Sequence, residues 1–202
     1  MLKLKVCGMR NAQNIEELLD VHPDFIGLIF HENSPRNISE PLMVNLAENI
    51  KRVGVFVNKT ENFIVEKIKN YNLSYVQLHG SESPEFCKNL KALGIKIIKA
   101  FNIHNDFDFD LLKEYVTYCD YFLFDAFGKN SGGNGITFNW KLLDKYSGSI
   151  PFLLSGGIDN TMAKEIKKIN HKMLVGLDIN SKFEIEPGLK NIDKIKAFKD
   201  EL

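Results

Sequence analysis

Two residues with proton-transferring side chains end two predicted strands of this chain. Cys7 closes the run Leu2–Cys7, and Asp125 closes the run Tyr121–Asp125 in the same way. A thiol and a carboxyl at the same ends of two strands face one cavity if the strands belong to one barrel. Groups that approach a small molecule from two sides suit general acid and base catalysis. This chemistry requires a fold that brings the two strand ends together.

A strand-then-helix pattern recurs along the whole chain and supplies such a fold. Short β-branched or aromatic runs alternate with polar turns and helix-period stretches every ~20–30 residues, the size of a βα unit. The eight predicted strands are Leu2–Cys7, Phe25–Phe30, Arg52–Val57, Tyr75–His79, Lys96–Ala100, Tyr121–Asp125, Pro151–Ser155 and Lys172–Asp178. Eight strands alternating with eight helices predict an α/β fold, a (β/α)8 TIM barrel formed by residues 1–202 as a single small domain. The rival fold is an open doubly wound sheet, which more often carries GxGxxG after its first strand, and that motif is not present here.

Capping residues mark several of the predicted helices. Pro41 opens a predicted helix over Leu42–Ile50, and Ser83 is the N-cap of a later one. Asp159 or Asn160 caps the helix that follows the seventh strand.

The amino-acid composition indicates which binding partners and which cellular compartment to expect for this protein. Hydrophobic residues make up 44% of the 202 residues, enough for a sizeable core. Lysine and arginine number 26, as do aspartate and glutamate, so net charge gives no argument for nucleic acid or an anionic membrane. The first residues lack the apolar region of a secretory signal, and no apolar run approaches the ~20 residues of a membrane span. Cys7, Cys87 and Cys119 have no zinc or CxxC spacing, which predicts free thiols in a reducing cytoplasm.

The first strand carries the strongest candidate for a base. Lys5 and Cys7 alternate onto one face, so both are expected to point into the barrel, where an ammonium favours the thiolate. Lys5 also suits the neutralisation of a buried carboxylate such as Asp178, and the two roles are compatible. Taken alone, a strand cysteine is more often a small core residue. A strand-end aspartate such as Asp125 is as often a loop cap.

Four further loops that follow predicted strands contain residues suited to binding a ligand. Gly156 and Gly157 follow strand seven and Asn180-Ser181 follow strand eight, the two loops with which barrels often bind phosphate. The alternative is that these are tight turns that need glycine. The segment Gly128–Gly135 contains four glycines and is either a flexible connector or a lid over a ligand. Arg36, after strand two, is either a solvated charge or a bidentate clamp for a carboxylate.

Together these segments resemble the phosphoribosylanthranilate isomerase family of tryptophan biosynthesis, over essentially the whole chain. The matching segments are Lys5–Gly8, Ser34–Arg36, Val53–Val57, Val76–Gly80, Phe124-Asp125, Gly132–Gly135, Phe138–Trp140, Leu154–Ile158, Gly176–Ser181, Glu184 and Pro187-Gly188. The resemblance implies a cofactor-free Amadori rearrangement of N-(5-phosphoribosyl)anthranilate to 1-(2-carboxyphenylamino)-1-deoxyribulose 5-phosphate. The implied partner is this phosphosugar, with no metal, nucleic acid, membrane or obligate protein partner.

The resemblance also implies a role for each site residue. Asp125 is the general acid that protonates the furanose ring oxygen, and Cys7 is the general base that removes the proton from the carbon next to the iminium. Arg36 matches the position that holds the anthranilate carboxylate. The other implied substrate contacts are Gln77, His79 and Asp178, and the implied phosphate cradle is Gly156, Gly157, Asn180 and Ser181. Lys182 departs from the glycine that many members have there, which leaves the contacts of this cradle less defined.

Two other functions fit a barrel of this kind. The related isomerase of histidine biosynthesis uses two aspartates and two phosphate sites, whereas this chain has Cys7 at the first position and one evident cradle. A non-catalytic phosphate-binding barrel needs no acid and base pair, so the presence of both Cys7 and Asp125 argues against it.

Overall fold

The chain folds as a closed barrel of eight parallel strands, which is the predicted architecture. The structure is a computed structural model that describes residues 2–40, 42, 44, 46, 47, 49–125 and 140–202. The strands are β1 (Lys3–Val6), β2 (Phe25–Ile29), β3 (Lys51–Phe56), β4 (Tyr75–Leu78), β5 (Ile97–Asn102), β6 (Tyr121–Asp125), β7 (Phe152–Ser155) and β8 (Leu174–Ile179). Each strand pairs with its sequence neighbours, and β8 closes on β1 with Lys5 opposite Asp178. Every predicted strand overlaps an observed one.

The connections around the barrel are partly α-helical. Within the described residues the α-helices are α1 (Ala12–Leu19), α2 (Glu61–Tyr71), α3 (Pro84–Ala92), α4 (Ala163–Ile166) and α5 (Ile192–Asp200). Shorter 3-10 helices cover Phe109–Tyr115, Trp140–Lys145, Asn160–Met162 and Ser181–Phe183. Ser83 caps α3 as predicted, because its hydroxyl accepts the Phe86 N–H at 3.2 Å. Of the two predicted caps after β7, Asp159 is the one that caps, accepting the Thr161 N–H at 2.7 Å.

The helix predicted after β2 is not helical in its described residues, and the described helices after β5 and β6 are 3-10 rather than α. In the predicted helix Leu42–Ile50, the described residues 42, 44, 46, 47, 49 and 50 are not helical, and the Val44 carbonyl accepts from Arg52 rather than from a helical N–H. After β5 the helix is 3-10 rather than α. The Asp108 side chain there accepts the Asp110 N–H, and such local side-chain bonds compete with α-helix formation.

The barrel interior changes character from one end to the other. Its buried apolar residues are Phe25, Val53, Ile98, Ala100, Leu123 and Leu153. Near the amino-terminal ends of the strands, the Phe25 ring meets Tyr75 and Tyr121 edge to face, with centroids 5.6 and 6.1 Å apart. These rings and the apolar layer close the bottom of the barrel, so the polar residues at the carboxyl ends form the floor of an open mouth.

A short hairpin follows the barrel and lies against the first helix. Its antiparallel strands are β9 (Glu184–Glu186) and β10 (Leu189–Lys190). The Asn14 side chain of α1 accepts the Lys190 N–H at 2.7 Å and donates to the Lys190 carbonyl at 3.0 Å. This two-way contact fixes the hairpin against α1. None of the helices in the described segments is long and apolar enough to cross a membrane.

Candidate active site

The first strand brings a thiol and a buried ion pair together at the barrel mouth. Cys7 is 4% exposed and Lys5 is fully buried. Lys5 Nζ lies 2.8 Å from Asp178 Oδ1 on the neighbouring strand β8. The charge of Lys5 also acts to lower the pKa of the Cys7 thiol. The expected neutralisation of Asp178 by Lys5 is therefore confirmed.

Burial decides the protonation of this group of side chains. Burial raises the pKa of Cys7, the Asp178 carboxylate raises it further, and the Lys5 and Lys190 ammonium groups oppose the rise without cancelling it. Burial also raises the pKa of Asp178, against the effect of Lys5. Lys5 thus favours the thiolate, as expected, but burial outweighs it, and the net pKa of Cys7 is raised.

Gly27 of β2 provides the space for the Cys7 side chain. A Cβ at Gly27 would lie 2.8 Å from Cys7 Sγ and 2.9 Å from Cys7 Cα, and the second contact is with backbone. We expect Gly27→Ala to push β1 and β2 apart, lowering the free energy of unfolding by about 1–3 kcal/mol. Because the Cys7 thiol moves with its strand, kcat should fall as well.

Chemical denaturation and initial rates measure the two effects of Gly27→Ala. The control is Ile26→Val, which removes one methyl from the outward face of the same strand and should cost about 0.5–1.5 kcal/mol with kcat unchanged. Parent-like stability and kcat in Gly27→Ala would contradict the spatial role of this glycine.

The fourth and sixth strands bring a second group of predicted residues into contact. Gln77 Nε2 lies 2.7 Å from His79 Nδ1, and His79 Nε2 lies 3.4 Å from Asp125 Oδ2. Within the described residues, Asp125 Oδ1 and Gln77 Oε1 are buried without a hydrogen-bond partner. Buried polar atoms are normally paired, so these two acceptors are suited to a ligand.

Asp178 connects the two groups. Its carboxyl bonds Lys5 beside Cys7, and the charges of His79 and Asp125 also act on its pKa. The sequence-predicted residues of β1, β4, β6 and β8 therefore form one electrostatically linked site.

Two residues that sequence reasoning missed support the loop after β4. Lys99 and Glu82 form an ion pair of 3.2 Å, with each side chain 3% exposed. Glu82 accepts the Gly80 N–H at 2.9 Å, and Lys99 donates to the Gly80 carbonyl at 2.8 Å. This pair holds both backbone groups of Gly80, so it fixes the loop that carries His79.

Arg36 reaches the mouth but already holds a carboxylate of this chain. Its guanidinium bonds Glu184 in a bidentate manner, with Nε 2.8 Å from Oε1 and Nη2 2.5 Å from Oε2. Arg36 is therefore not simply a solvated charge, since it holds Glu184 in a bidentate manner. Its binding of a ligand carboxylate stays a prediction. The sequence signal for Glu184 was present, because this residue belongs to the segments that carry the family resemblance.

Arg36 and the predicted phosphate loop meet across Gly8, the residue after Cys7. A Cβ at Gly8 would lie 2.6 Å from Arg36 Cδ and 2.8 Å from Asn180 Oδ1. Only glycine at this position therefore lets the side chains of Arg36 and Asn180 approach so closely beside Cys7.

The predicted phosphate loops lie at the same end of the barrel. Gly156 and Gly157 follow β7 with φ of 96° and 66°, and the predicted extra helix after β8 is present as the 3-10 helix Ser181–Phe183. Phosphate binding by these loops stays a prediction.

The predicted lid Gly128–Gly135 lies outside the described residues. Among the residues described, no cluster of three or more histidine, cysteine, aspartate or glutamate side chains is placed to hold a metal ion.

A (β/α)8 barrel whose carboxyl ends carry an acid, a thiol and glycine-rich loops has the architecture of a barrel enzyme acting on a small molecule. The family model described as N-(5'phosphoribosyl)anthranilate (PRA) isomerase matches residues 4–201. The chain therefore belongs to the PRA isomerase family, and it is an isomerase.

Individual relatives are similar along nearly their whole length. The N-(5'-phosphoribosyl)anthranilate isomerase of Parabacteroides distasonis is 46% identical over 200 residues, which covers 96% of this chain and 90% of that protein. The Phocaeicola vulgatus protein of the same name is 40% identical, covering 98% and 97%. The crystal structure of phosphoribosyl anthranilate isomerase from Thermotoga maritima has a TM-score of 0.85 at 30% identity, covering 100% and 98%. Another, in complex with reduced 1-(o-carboxyphenylamino)-1-deoxyribulose 5-phosphate, has a TM-score of 0.83 at 28% identity, with the same coverage.

Proposed function

We propose that this protein catalyses the Amadori rearrangement of N-(5-phosphoribosyl)anthranilate to 1-(2-carboxyphenylamino)-1-deoxyribulose 5-phosphate in tryptophan biosynthesis. The observation that carries the proposal is the pair of proton-transferring groups in one barrel mouth, Cys7 on β1 and Asp125 on β6, in a chain of this family. An aldose-to-ketose conversion needs one group that gives a proton and one that removes a proton, and no change of redox state overall.

Asp125 is the proposed general acid. Its carboxyl gives a proton to the furanose ring oxygen as the bond from that oxygen to C1 breaks, which leaves an open-chain Schiff-base cation. Its buried Oδ1, which has no partner among the described residues, supports this role because it is available to substrate. The 3.4 Å contact to His79 keeps the other oxygen oriented.

Cys7 is the proposed general base. The thiolate takes the proton from C2, and the electrons of that bond move to form the enolamine and neutralise the iminium nitrogen. The enolamine then gains a proton at C1 and loses the proton of its C2 hydroxyl, which gives the aminoketose. The charge of Lys5 supports the role, since it stabilises the thiolate relative to the same buried thiol without a cation.

The remaining assignments concern binding. Arg36 is proposed to hold the anthranilate carboxylate, and Gln77, His79 and Asp178 to contact the substrate. The proposed phosphate cradle is Gly156, Gly157, Asn180 and Ser181. We place the reaction in the cytoplasm, since all three cysteines are free thiols, as is usual in a reducing compartment.

The direct test is turnover of freshly prepared phosphoribosylanthranilate, followed as loss of its anthranilate-type fluorescence. The expected result is first-order loss whose rate scales with protein concentration, with the aminoketose as product. The corresponding substrate of the histidine-biosynthesis isomerase is the comparison. No loss above the spontaneous rate, or preferential turnover of the comparison substrate, would overturn the proposal.

The protonation of Cys7 gives a prediction for its pH titration. A base works only when deprotonated, and burial raises the pKa of Cys7 in the free protein. The thiolate fraction of Cys7 should therefore rise about tenfold per pH unit and continue to rise above pH ~8.5, the ordinary value for a thiol. Because the proposed mechanism also needs a protonated Asp125, the thiolate itself, rather than kcat/KM, is the quantity to follow.

Ultraviolet thiolate absorbance between pH 6 and 10, taken as the difference between the parent and Cys7→Ala, measures this titration, with circular dichroism to confirm folding. Cys119→Ala removes a buried thiol that does not belong to the mouth and should keep the same Cys7 titration. A Cys7 thiolate that is fully formed by about pH 8 would contradict a raised pKa.

A further inference from the structure

The guanidinium of Arg36 is held along one edge before any substrate binds. Glu184 occupies Nε and Nη2 of Arg36. A guanidinium carries five N–H donors in a planar fork, so this bidentate contact leaves the edge formed by Nη1 and the second Nη2 hydrogen. One arginine can thus hold a protein carboxylate on one edge and a ligand carboxylate on the other.

The Glu184 carboxylate is itself fixed from several directions. Its side chain is 5% exposed. In addition to Arg36, it accepts the Gly188 N–H at 3.1 Å and the Lys190 ammonium at 2.6 Å. Lys190 is fully buried and also donates to Asn180 Oδ1 at 2.7 Å. The hairpin that supplies these groups is anchored on α1, so Glu184 is a rigid support.

We propose that Glu184 is a positioning residue that orients Arg36 so that its remaining edge receives the aryl carboxylate of the substrate. The inference rests on the proposed function, in which Arg36 binds that carboxylate. A long flexible side chain fixed before binding loses less conformational entropy when the ligand arrives, and its geometry selects planar anions.

The charges of the cluster support this role. Arg36 and Lys190 carry two positive charges and Glu184 carries one negative charge, so one positive charge remains for the substrate. With Glu184 and Arg36 alone the pair would be neutral and would attract an anion less. Lys190 therefore compensates the negative charge of Glu184, so that the positive charge of Arg36 stays available to the substrate carboxylate.

The role of Glu184 does not depend on pH in the working range. Burial acts to raise the pKa of Glu184, but the hydrogen bonds from Arg36 and Lys190 outweigh it and lower the pKa to about 2. Glu184 stays ionised wherever the enzyme works, so the effect of removing its charge should be the same at pH 6 and pH 8.

The test compares two ligands that differ only in the aryl carboxylate. They are the reduced product, 1-(2-carboxyphenylamino)-1-deoxyribitol 5-phosphate, and its phenylamino counterpart without the carboxylate. Isothermal titration gives the Kd of each ligand. The Kd of the phenylamino ligand divided by the Kd of the reduced product measures recognition of the carboxylate. Glu184→Gln keeps the shape of the side chain but removes its charge, so this ratio should fall about tenfold or more, as for loss of a charge-assisted contact. The affinity for the phenylamino ligand should change little, and KM should rise with kcat within about threefold.

Glu186→Gln is the matched control. Glu186 lies two residues along on the same hairpin strand and is exposed. The same chemical change there should leave the ratio and KM unchanged. If Glu184→Gln fails to fold, Glu184→Asp keeps the charge but withdraws the carboxylate by one methylene, and should lower the ratio in the same direction.

Arg36→Met separates failure of this inference from failure of the proposed role of Arg36. Arg36→Met should abolish the preference for the carboxylate, and adding Glu184→Gln to it should cause no further loss of the ratio. If Arg36→Met abolishes the preference but the folded Glu184 variants keep it, Glu184 is not a positioning residue. Equal weakening of both ligands by those variants means a purely structural role and also overturns the inference. If Arg36→Met itself keeps the preference, Arg36 is not the clamp.

Discussion

Cys7→Ala is expected to lower kcat by at least ~100-fold, the usual scale for removal of a general base. The variant loses the one group at the end of β1 that can take the proton from C2. The fold should survive, because alanine fills part of the same buried space and the Lys5–Asp178 ion pair beside it stays intact. Initial rates, circular dichroism and the Kd of the reduced product measure the three properties.

Cys87→Ala is the matched control for this loss. Cys87 is a buried free thiol on α3, outside the mouth, so its removal should leave kcat within a few-fold of the parent value. A Cys7→Ala enzyme with near-normal kcat would exclude Cys7 as the base. A parallel loss of kcat in Cys87→Ala would show that thiol burial, rather than proton transfer, explains the effect.

The barrel could be predicted from sequence because its signal is local and repeated. Each βα unit has its own run of strand-forming residues, and eight such runs leave few alternatives. The same local reasoning failed at residues 42–50, where the Val44 carbonyl accepts from the Arg52 side chain rather than from a helical N–H. After β5 a helix is present, but it is 3-10, and the Asp108 side chain there competes for the backbone donor of Asp110. Side-chain contacts outweighed helical periodicity in the first segment.

The site could be predicted only in part, because several of its contacts join distant residues. Alternation along β1 indicated that Lys5 faces inward, and Asp178 at the end of the eighth predicted strand was named as a carboxylate for it, although 173 positions separate the two. The pairing of Arg36 with Glu184, 148 positions apart, has no local signal. Gly27 likewise looks like an ordinary strand glycine until the neighbouring thiol is in place.

The net pKa shift of Cys7 could not be predicted from the sequence either. The nearby lysine is visible in the sequence and favours the thiolate. The depth of burial is a property of the finished barrel, and it outweighs the lysine. Sequence therefore identifies the charged neighbours of a group more readily than the sign of its net pKa shift.

Asp125→Asn is expected to lower kcat by about 10²–10⁴-fold, the range for loss of a general acid. Asparagine has nearly the shape of aspartate and still forms hydrogen bonds, but it has no carboxylic proton to give to the ring oxygen. The step in which the furanose opens should therefore become rate-limiting. The affinity for the reduced product should change little, because that ligand is already open and needs no proton.

Asp120→Asn is the matched control, because Asp120 precedes the first residue of β6 whereas Asp125 is its last. Asp120 precedes β6 and bonds Lys91 at 2.8 Å, away from the mouth, so its amide variant should affect stability but not kcat. A parent-like kcat in Asp125→Asn would show that Asp125 is not the general acid and that a neighbouring residue donates the proton. His79 is the group in position to take it, with Nε2 3.4 Å from Asp125 Oδ2. In that case His79→Gln should cause the loss of kcat instead, whereas with Asp125 as the acid it should cause a smaller loss than Asp125→Asn.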